Sequence, residues 1–171
     1  LFRTLSQHVL SPAKIVTEMN NSISDNNESN MFVTLIVGIL DLETGILKLC
    51  NAGHNPPILI YPDGQVSYLE FKTQIFVGVV EDFKYSDEEV VLEKESKLFL
   101  YTDGVTEAEN INKELYGEEK LLGMLSDNAS SDVRTTVNVV VDSIASHVKE
   151  AEASDDLTIL LIQYEPGTAN S

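Results

Sequence analysis

The segment "MFVTLIVGILDLETGILKLCNA", residues 31–52, consists of two apolar stretches joined by a short polar one. The first stretch, residues 31–40, is nearly all apolar and rich in β-branched side chains, which is typical of a central strand covered on both faces. "DLETG" then predicts a hairpin turn, and residues 46–52 predict the returning strand. The segment therefore predicts an antiparallel β-hairpin.

The same pattern continues along the first half of the chain. "PPILIYPDGQVSYLE", residues 56–70, predicts a second hairpin with Asp63 and Gly64 in its turn. Two more strands are expected at Val90–Leu92 and Lys97–Tyr101. The first half of the chain is therefore predicted to be mainly β-sheet.

Helical spacing appears at the start of the chain and again in its second half. Ser11 and Pro12 predict a helix start, and residues 117–127 and 133–148 carry apolar side chains at helical spacing. "SDDLTILLIQYE", at residues 154–165, predicts a last strand. This order predicts an α+β fold with antiparallel sheets and argues against a doubly wound parallel sheet.

Length and composition predict one globular domain over residues 1–171, with 43% hydrophobic residues. No apolar run is long enough to span a bilayer, so no membrane contact is expected from this segment. The chain lacks a signal peptide and an initiator Met, which predicts a domain excised from a longer protein. Cys50 is the only cysteine, which excludes an internal disulfide, suits the cytoplasm and predicts a small buried side chain.

The net charge of −17 limits the possible partners. Nucleic acids and anionic membrane surfaces would repel such a chain, so neither is expected as a partner. Hard cations or a basic protein surface fit better. The excess of carboxylates is also explained by solubility alone.

Acidic residues stand at the ends of two predicted strands. Asp103 follows the strand at residues 97–101, and Asp155 and Asp156 precede the last strand. If the two strands are neighbours, these carboxylates form one rim, and carboxylate oxygens are the ligands that Mg²⁺ and Mn²⁺ prefer. Gly104 would allow a sharp turn and leave room for a ligand. The alternative is structural, because Asp-Gly and Asp-Asp pairs are also common in turns and loops.

Three motifs together resemble one known family. "MFVTLIVGILDLETGILKLCNAGHNPPILIYPDG", "LFLYTDGVTEAEN" and "SDDLTILLIQ" match, in order and spacing, the bacterial stage II sporulation protein E family. That family belongs to the PPM, or 2C-type, metal-dependent Ser/Thr protein phosphatases. The resemblance extends from about Ser11 to Tyr164. It implies an antiparallel β-sandwich flanked by helices, with two Mn²⁺ or Mg²⁺ ions at one end.

The resemblance also implies roles for individual residues. Asp103 and Asp155 would be the catalytic metal ligands, with Asp156 and Gly104 beside them but not bound to the metal. Water activated by the ions would attack the phosphorus of a phosphoserine or phosphothreonine in line, without a protein nucleophile. The absence of a plausible Cys or Ser/His nucleophile motif agrees with that mechanism.

By resemblance the substrate is a phosphorylated regulatory protein of the anti-anti-sigma type in bacterial signalling. An upstream sensory or receiver domain would control the phosphatase, and homodimers are compatible with the family. The expected location is the cytoplasm, which leaves room for a parent protein that is tethered to a membrane.

The sequence departs from the family pattern at its start. The family carries two earlier elements, Gly-Asp-aromatic-aromatic-Asp and Gly-Asp-x-x-Gly-x-Gly, and neither occurs in these 171 residues. Those elements supply the acid that bridges the two metals, so the domain is expected to lack part of its binuclear site. The alternative function is therefore a catalytically inactive module of the same fold that binds a partner.

Three further residues near the motifs could take part in chemistry. An imidazole at His54 could protonate a leaving serine oxygen, but a His in the "AGHNPP" loop is expected to satisfy backbone groups of the turn. Glu107 and Glu109 could contact metal-bound water; the simpler expectation is two solvated side chains on a short helix after Asp103.

Overall fold

The computed structural model describes residues 11–25, 27, 31–151 and 155–167. The chain divides into two compact units. The first contains the described residues of Leu1–Pro56, Glu70–Leu92 and Pro166–Ser171, and the second contains those of Pro57–Leu69 and Glu93–Glu165. The prediction of a single domain over 1–171 stays a prediction.

The first unit begins with helix α1, Pro12–Ser24. Its start is the predicted one, because the Ser11 hydroxyl accepts a hydrogen bond from the Lys14 amide at 3.3 Å and Pro12 occupies the first helical turn. Ile15 and Val16 are fully buried in the core of this unit.

A three-stranded antiparallel sheet completes the first unit. Its strands are β1 (Leu35–Leu40), β2 (Ile46–Ala52) and β5 (Glu88–Val91), in the order β1-β2-β5. The predicted hairpin is confirmed: the Asp41 amide donates to the Ile46 carbonyl oxygen at 2.9 Å.

The prediction of a central, doubly covered first strand is wrong. Within the described residues β1 pairs with β2 alone and forms an edge of its sheet. Val37 is the only buried residue of β1, and residues 31–34, which precede the strand, are exposed.

The second unit contains a four-stranded antiparallel sheet in the order β4-β3-β6-β7. Strands β3 (Ile58–Ile60) and β4 (Val66–Tyr68) form the predicted second hairpin. Strands β6 (Lys97–Tyr101) and β7 (Ile159–Gln163) pair over their whole lengths.

Two helices pack on this second sheet. Helix α2 (Glu118–Asp127) and helix α3 (Val133–Val148) lie where the helical spacing predicted them. Their buried residues share one core cluster with strands β3 and β6; the central members are Leu121, Leu125, Val140, Ile144, Ile58 and Phe99.

The two antiparallel sheets and their helices confirm the predicted α+β class. A short 3₁₀ helix, Asp103–Val105, directly follows β6 and matters for the site. None of the helices in the described residues combines the length and the apolar character that crossing a membrane requires.

Candidate metal centre

The pairing of β6 with β7 brings the predicted acidic residues to one end of the sheet. Tyr101, at the end of β6, is paired with Ile159, at the start of β7. Because the strands are antiparallel, the chain leaving β6 and the chain entering β7 meet at the same edge. Asp103 lies on the first of these segments, and Asp155 and Asp156 lie on the second.

Thr102 joins the two segments. Its amide donates to the Thr158 carbonyl oxygen at 3.1 Å, which continues the strand ladder by one step. Its hydroxyl donates to the Asp156 carbonyl oxygen at 3.1 Å and accepts from the Thr158 amide at 3.0 Å. Asp103 is the next residue, so its main chain is fixed relative to the Asp155–Asp156 segment.

Gly104 allows the closest approach between the segments. A Cβ atom at this position would lie 2.5 Å from the Asp156 carbonyl oxygen, far inside a van der Waals contact. The sequence suggested Gly104 for a sharp turn with room for a ligand. The structure gives it a further role, because only a residue without a side chain fits against this carbonyl.

Backbone amides orient the two predicted ligands. The Gly104 amide donates to Asp103 Oδ1 at 3.0 Å, and the Asp156 amide donates to Asp155 Oδ1 at 2.7 Å. Gly104 and Val105 are buried and anchor the 3₁₀ helix, whereas the three aspartates are exposed. The three carboxyl groups therefore lie at the surface, where a cation can reach them.

The chemistry of these donors fits a hard cation, but the described residues do not form a complete site. Asp103 and Asp155 would hold the metal, because carboxylate oxygens are ligands of Mg²⁺ and Mn²⁺. Among the residues that the structure describes, however, no three His, Cys, Asp or Glu side chains are grouped closely enough to bind an ion. The two segments would therefore supply only part of a coordination shell.

His54 belongs to the first unit, in the loop after β2. Its ring Nδ1 lies 3.3 Å from the Thr34 hydroxyl. The loop is held by Asn51, whose side chain accepts from the His54 amide at 2.8 Å and donates to the His54 carbonyl oxygen at 2.9 Å. Asn51 therefore satisfies the amide and the carbonyl of His54 in this turn, a role that the sequence had suggested for the imidazole of His54.

The prediction of a short helix carrying Glu107 and Glu109 is wrong. The 3₁₀ helix ends at Val105, and Glu109 instead forms a bridge with Leu115. Its carboxylate is 2.7 Å from the Lys113 ammonium. The two glutamates therefore lie on a loop that folds back on itself.

Cys50 is buried, as the sequence predicted, and burial raises the pKa of its thiol to about 12. A thiol with such a pKa stays protonated near neutral pH and is a poor nucleophile. Cys50 is therefore a core residue.

Comparison with known proteins identifies the class and then the family. The fold is that of PP2C-type phosphatase domains: the SiaA-PP2C domain of Pseudomonas aeruginosa superposes with a TM-score of 0.81 at 21% identity, over 96% of this chain and 68% of that one. The PP2C domain of SpoIIE from Bacillus subtilis, solved with a fragment of its regulatory domain, gives a TM-score of 0.78 at 15% identity, over 95% of this chain and 47% of that one. The model of the family described as stage II sporulation protein E (SpoIIE) matches residues 1–165. The chain belongs to this family.

Two phosphoserine phosphatases are among the proteins whose sequences are similar to this chain. The phosphoserine phosphatase RsbP of Bacillus subtilis is 27% identical over 170 residues, which are 96% of this chain and 40% of RsbP. The phosphoserine phosphatase RsbU of the same organism is 23% identical over 161 residues, or 94% of this chain and 47% of RsbU. The chain therefore spans less than half the length of these curated relatives.

Proposed function

We propose that this chain is the phosphatase domain of a metal-dependent protein serine/threonine phosphatase. The observation that carries the proposal is the juxtaposition of Asp103 with Asp155 and Asp156 through Thr102 and Gly104. Membership of the SpoIIE family and similarity to two phosphoserine phosphatases support the same activity.

The residues of the site have separate tasks in this proposal. Asp103 and Asp155 hold divalent metal, and their backbone hydrogen bonds keep one oxygen of each carboxylate in a fixed direction. Bound Mn²⁺ or Mg²⁺ would lower the pKa of a water molecule and neutralise charge on the phosphoryl group. Thr102 positions the two ligand segments, and Gly104 keeps them in contact. Cys50, with its raised thiol pKa, takes no part in the reaction.

The proposed substrate is a phosphoserine or phosphothreonine of a bacterial regulatory protein, of the anti-anti-sigma type, in the cytoplasm. RsbU and RsbP, which are named as phosphoserine phosphatases, support the choice of phosphoserine. The proposed Mn²⁺ is supported by a SpoIIE phosphatase domain that was solved after presoaking with Mn and has a TM-score of 0.67 with this chain at 14% identity, over 98% of this chain and 73% of that one. In this proposal an upstream sensory or receiver domain controls the phosphatase, and the protein forms a homodimer.

A second candidate function is a partner-binding module of the same fold without catalysis. The absence of a cluster of three ligands among the described residues favours it for the 171-residue chain. The two functions make different predictions about metal. If acidic residues from other parts of the protein complete the metal site of a phosphatase, the longest form of the protein binds Mn²⁺. A binding module does not bind Mn²⁺ even in its longest form.

The test compares Mn²⁺ binding and hydrolysis of a phosphoserine protein in two polypeptides: these 171 residues and the longest product of the gene. We expect the long form to bind about two ions and to be active, and Asp103→Asn to reduce this activity by more than ~100-fold, because losing residues that only orient ligands already costs ~10–100-fold. Asp63→Asn, in an exposed turn of the second unit, is the matched control and should be fully active.

Activity that survives in Asp103→Asn would contradict the assigned role of this residue. Failure of both polypeptides to bind Mn²⁺ would favour the partner-binding module.

A further inference from the structure

A small polar cavity in the second unit gathers basic side chains. Its volume is about 290 Å³, and it lies between the tip of the loop at residues 110–112 and the C-terminal end of helix α3. Lys120, His147 and Lys149 line it, together with Asn112 and Ser146. The chain has only 11 Lys and Arg residues against 28 Asp and Glu residues, and two of these 11, Lys120 and Lys149, line this one cavity beside His147.

These basic groups have not been neutralised by acids. Within the described part of the chain, the ion pairs involve Lys48, Lys94 and Lys113, and none includes Lys120 or Lys149. Glu119 and Glu150, which are adjacent in sequence to Lys120 and Lys149, are exposed and form no ion pair with either lysine among the described residues. Two acids close to the loop at residues 110–112 have other partners. Glu109 pairs with Lys113 at 2.7 Å, and Glu114 accepts from the Asn110 amide group at 2.7 Å.

The contacts of His147 and Lys120 fix their orientation. His147 Nε2 lies 3.0 Å from the Glu114 carbonyl oxygen, which can only accept, so Nε2 carries the proton. Nδ1 lies 3.4 Å from the Lys120 ammonium, which can only donate, so Nδ1 accepts. The Lys120 ammonium also stands 4.7 Å from the centre of the Tyr116 ring. A Lys120 ammonium held by two contacts still has N–H groups that can bind a ligand.

Helix dipoles do not explain the position of Lys120. It lies in the first turn of α2, where the helix end is partially positive and disfavours a cation. Glu118 and Glu119 share that turn but do not line the cavity. Lys149 does suit the C-terminal end of α3, which carries about half a negative charge. Two full lysine charges exceed that half charge, and no acidic side chain lines the cavity, so its lining carries a net positive charge.

We propose that this cavity is a binding site for a single oxyanion group, a phosphate or a carboxylate. The volume of about 290 Å³ lies at the lower end of the range for ligand pockets and accommodates one small hydrated group. Lys120 and Lys149 supply charge-assisted hydrogen bonds, and the Asn112 amide and the Ser146 hydroxyl supply neutral donors. The oxyanion is either free phosphate or a group on a protein partner.

The cavity is separate from the candidate metal centre but belongs to the same unit. Asn110 follows Asp103 by seven residues, so even a fully extended chain would place them no more than ~25 Å apart. The proposal does not depend on phosphatase activity. It requires only that the chain bind an oxyanion at Lys120 and Lys149.

The test is a titration of the 171-residue chain with sodium phosphate, followed by backbone amide NMR. EDTA removes metal-bound phosphate, and sodium chloride at matched ionic strength controls for screening. We expect saturable shifts at Asn112 and residues 146–149 with a Kd on the order of 1 mM. A blocked triglutamate peptide forms the second arm: tighter binding than phosphate at the same amides indicates a protein-borne group, and weaker binding indicates free phosphate.

Matched variants separate this site from general electrostatics. Lys120→Gln with Lys149→Gln should weaken binding at least ~10-fold, and because both side chains are exposed the fold should persist. Asn112→Asp should weaken it as well, by placing a negative charge in the cavity. Lys14→Gln with Lys84→Gln changes the net charge equally at another cavity, in the first unit, and should leave binding unchanged. Absence of saturable shifts to ~20 mM with either probe, or equal binding by the Lys120/Lys149 variant, would overturn the proposal.

Discussion

The Thr102 hydroxyl donates a hydrogen bond to the Asp156 carbonyl oxygen at 3.1 Å and accepts one from the Thr158 amide at 3.0 Å. This single side chain therefore joins the segment that carries Asp103 to the segment that carries Asp155 and Asp156. In the proposed phosphatase it acts through the ligands and does not touch the substrate.

Replacing Thr102 by Val should destabilise the second unit and impair metal binding. Val has nearly the same shape but removes both hydrogen bonds, and the net loss should be about 1–2 kcal/mol in the free energy of unfolding. Thr102→Ser keeps the hydroxyl and should restore most of the Mn²⁺ affinity of the longest gene product. The measurements are urea denaturation of the 171-residue chain and calorimetric Mn²⁺ titration of the long form. Equal Mn²⁺ affinity in the Val and Ser variants would show that Thr102 does not position the ligands.

Replacing Gly104 by Ala should separate the two acidic segments. The added Cβ would lie 2.5 Å from the Asp156 carbonyl oxygen, so the backbone must move, at a cost of about 1–3 kcal/mol. Gly123→Ala is the matched control, because its Cβ would meet no atom within 4 Å and lies inside helix α2. The control should gain about 0.5–1 kcal/mol, since Ala favours a helix over Gly. Opposite signs in urea denaturation are expected, and a neutral Gly104→Ala would contradict this close contact.

Asp155 and Asp156 should differ in their effect on activity, although they are neighbours and both exposed. Asp155→Asn removes a proposed ligand and should abolish Mn²⁺-dependent hydrolysis in the longest gene product. Asp156→Asn should reduce it only ~10–100-fold, as expected for a residue beside the ligands. Steady-state kinetics at several Mn²⁺ concentrations measure the difference. A larger loss of activity in the Asp156 variant would show that Asp156 is the metal ligand and that Asp155 lies beside it.

The secondary structure was predictable because local signals agreed with the fold. Helix α3 carries apolar side chains at helical spacing over its whole length, and the Asp132 side chain accepts from the Thr135 amide at 3.0 Å to cap it. The hairpin turns carry glycine or aspartate at the required positions. The position of a strand within its sheet was not predictable, since the apolar run at 31–40 cannot report how many partners β1 has.

The candidate site was predictable as a pair of motifs but not as a set of contacts. Asp103 and Asp155 stand out because acids follow or precede apolar strands. Thr102 gave no signal of its own, because a threonine between a strand and a turn is ordinary and its hydrogen bonds join residues more than 50 positions apart. The basic cavity was missed for the same reason, since Lys120 and His147 meet only after α2 and α3 pack.

The buried thiol of Cys50 should make the chain less stable at alkaline pH. Burial raises its pKa from 9.0 to about 12, so above pH ~9 the thiol ionises in the unfolded chain but stays protonated in the folded one. The unfolded state then binds fewer protons, and the free energy of unfolding falls by up to about 1.4 kcal/mol per pH unit. Urea denaturation at pH 8.0, 9.0 and 9.8 measures this slope. Cys50→Ala should be less stable at pH 8.0 because of its cavity but should show a shallower slope, and equal slopes would contradict the assignment.

Asn20, in helix α1, should be among the most sensitive polar residues of the first unit. It is fully buried, its Oδ1 accepts from the Gly78 amide at 2.9 Å, and its Nδ2 donates to the Val80 carbonyl oxygen at 2.8 Å. Asn20→Leu keeps the approximate size but leaves both backbone groups without this partner, so we expect a loss of about 2–4 kcal/mol in the free energy of unfolding. Asn21→Leu, on the next and less buried position, should cost less than about 0.5 kcal/mol, because its side-chain contacts to Asp82 and to Asn20 Nδ2 are both long, at 3.4 Å. Urea denaturation with hydrogen exchange at Gly78 tests both effects. Unchanged protection of the Gly78 amide in Asn20→Leu would show that the loop at 76–80 is held by other contacts.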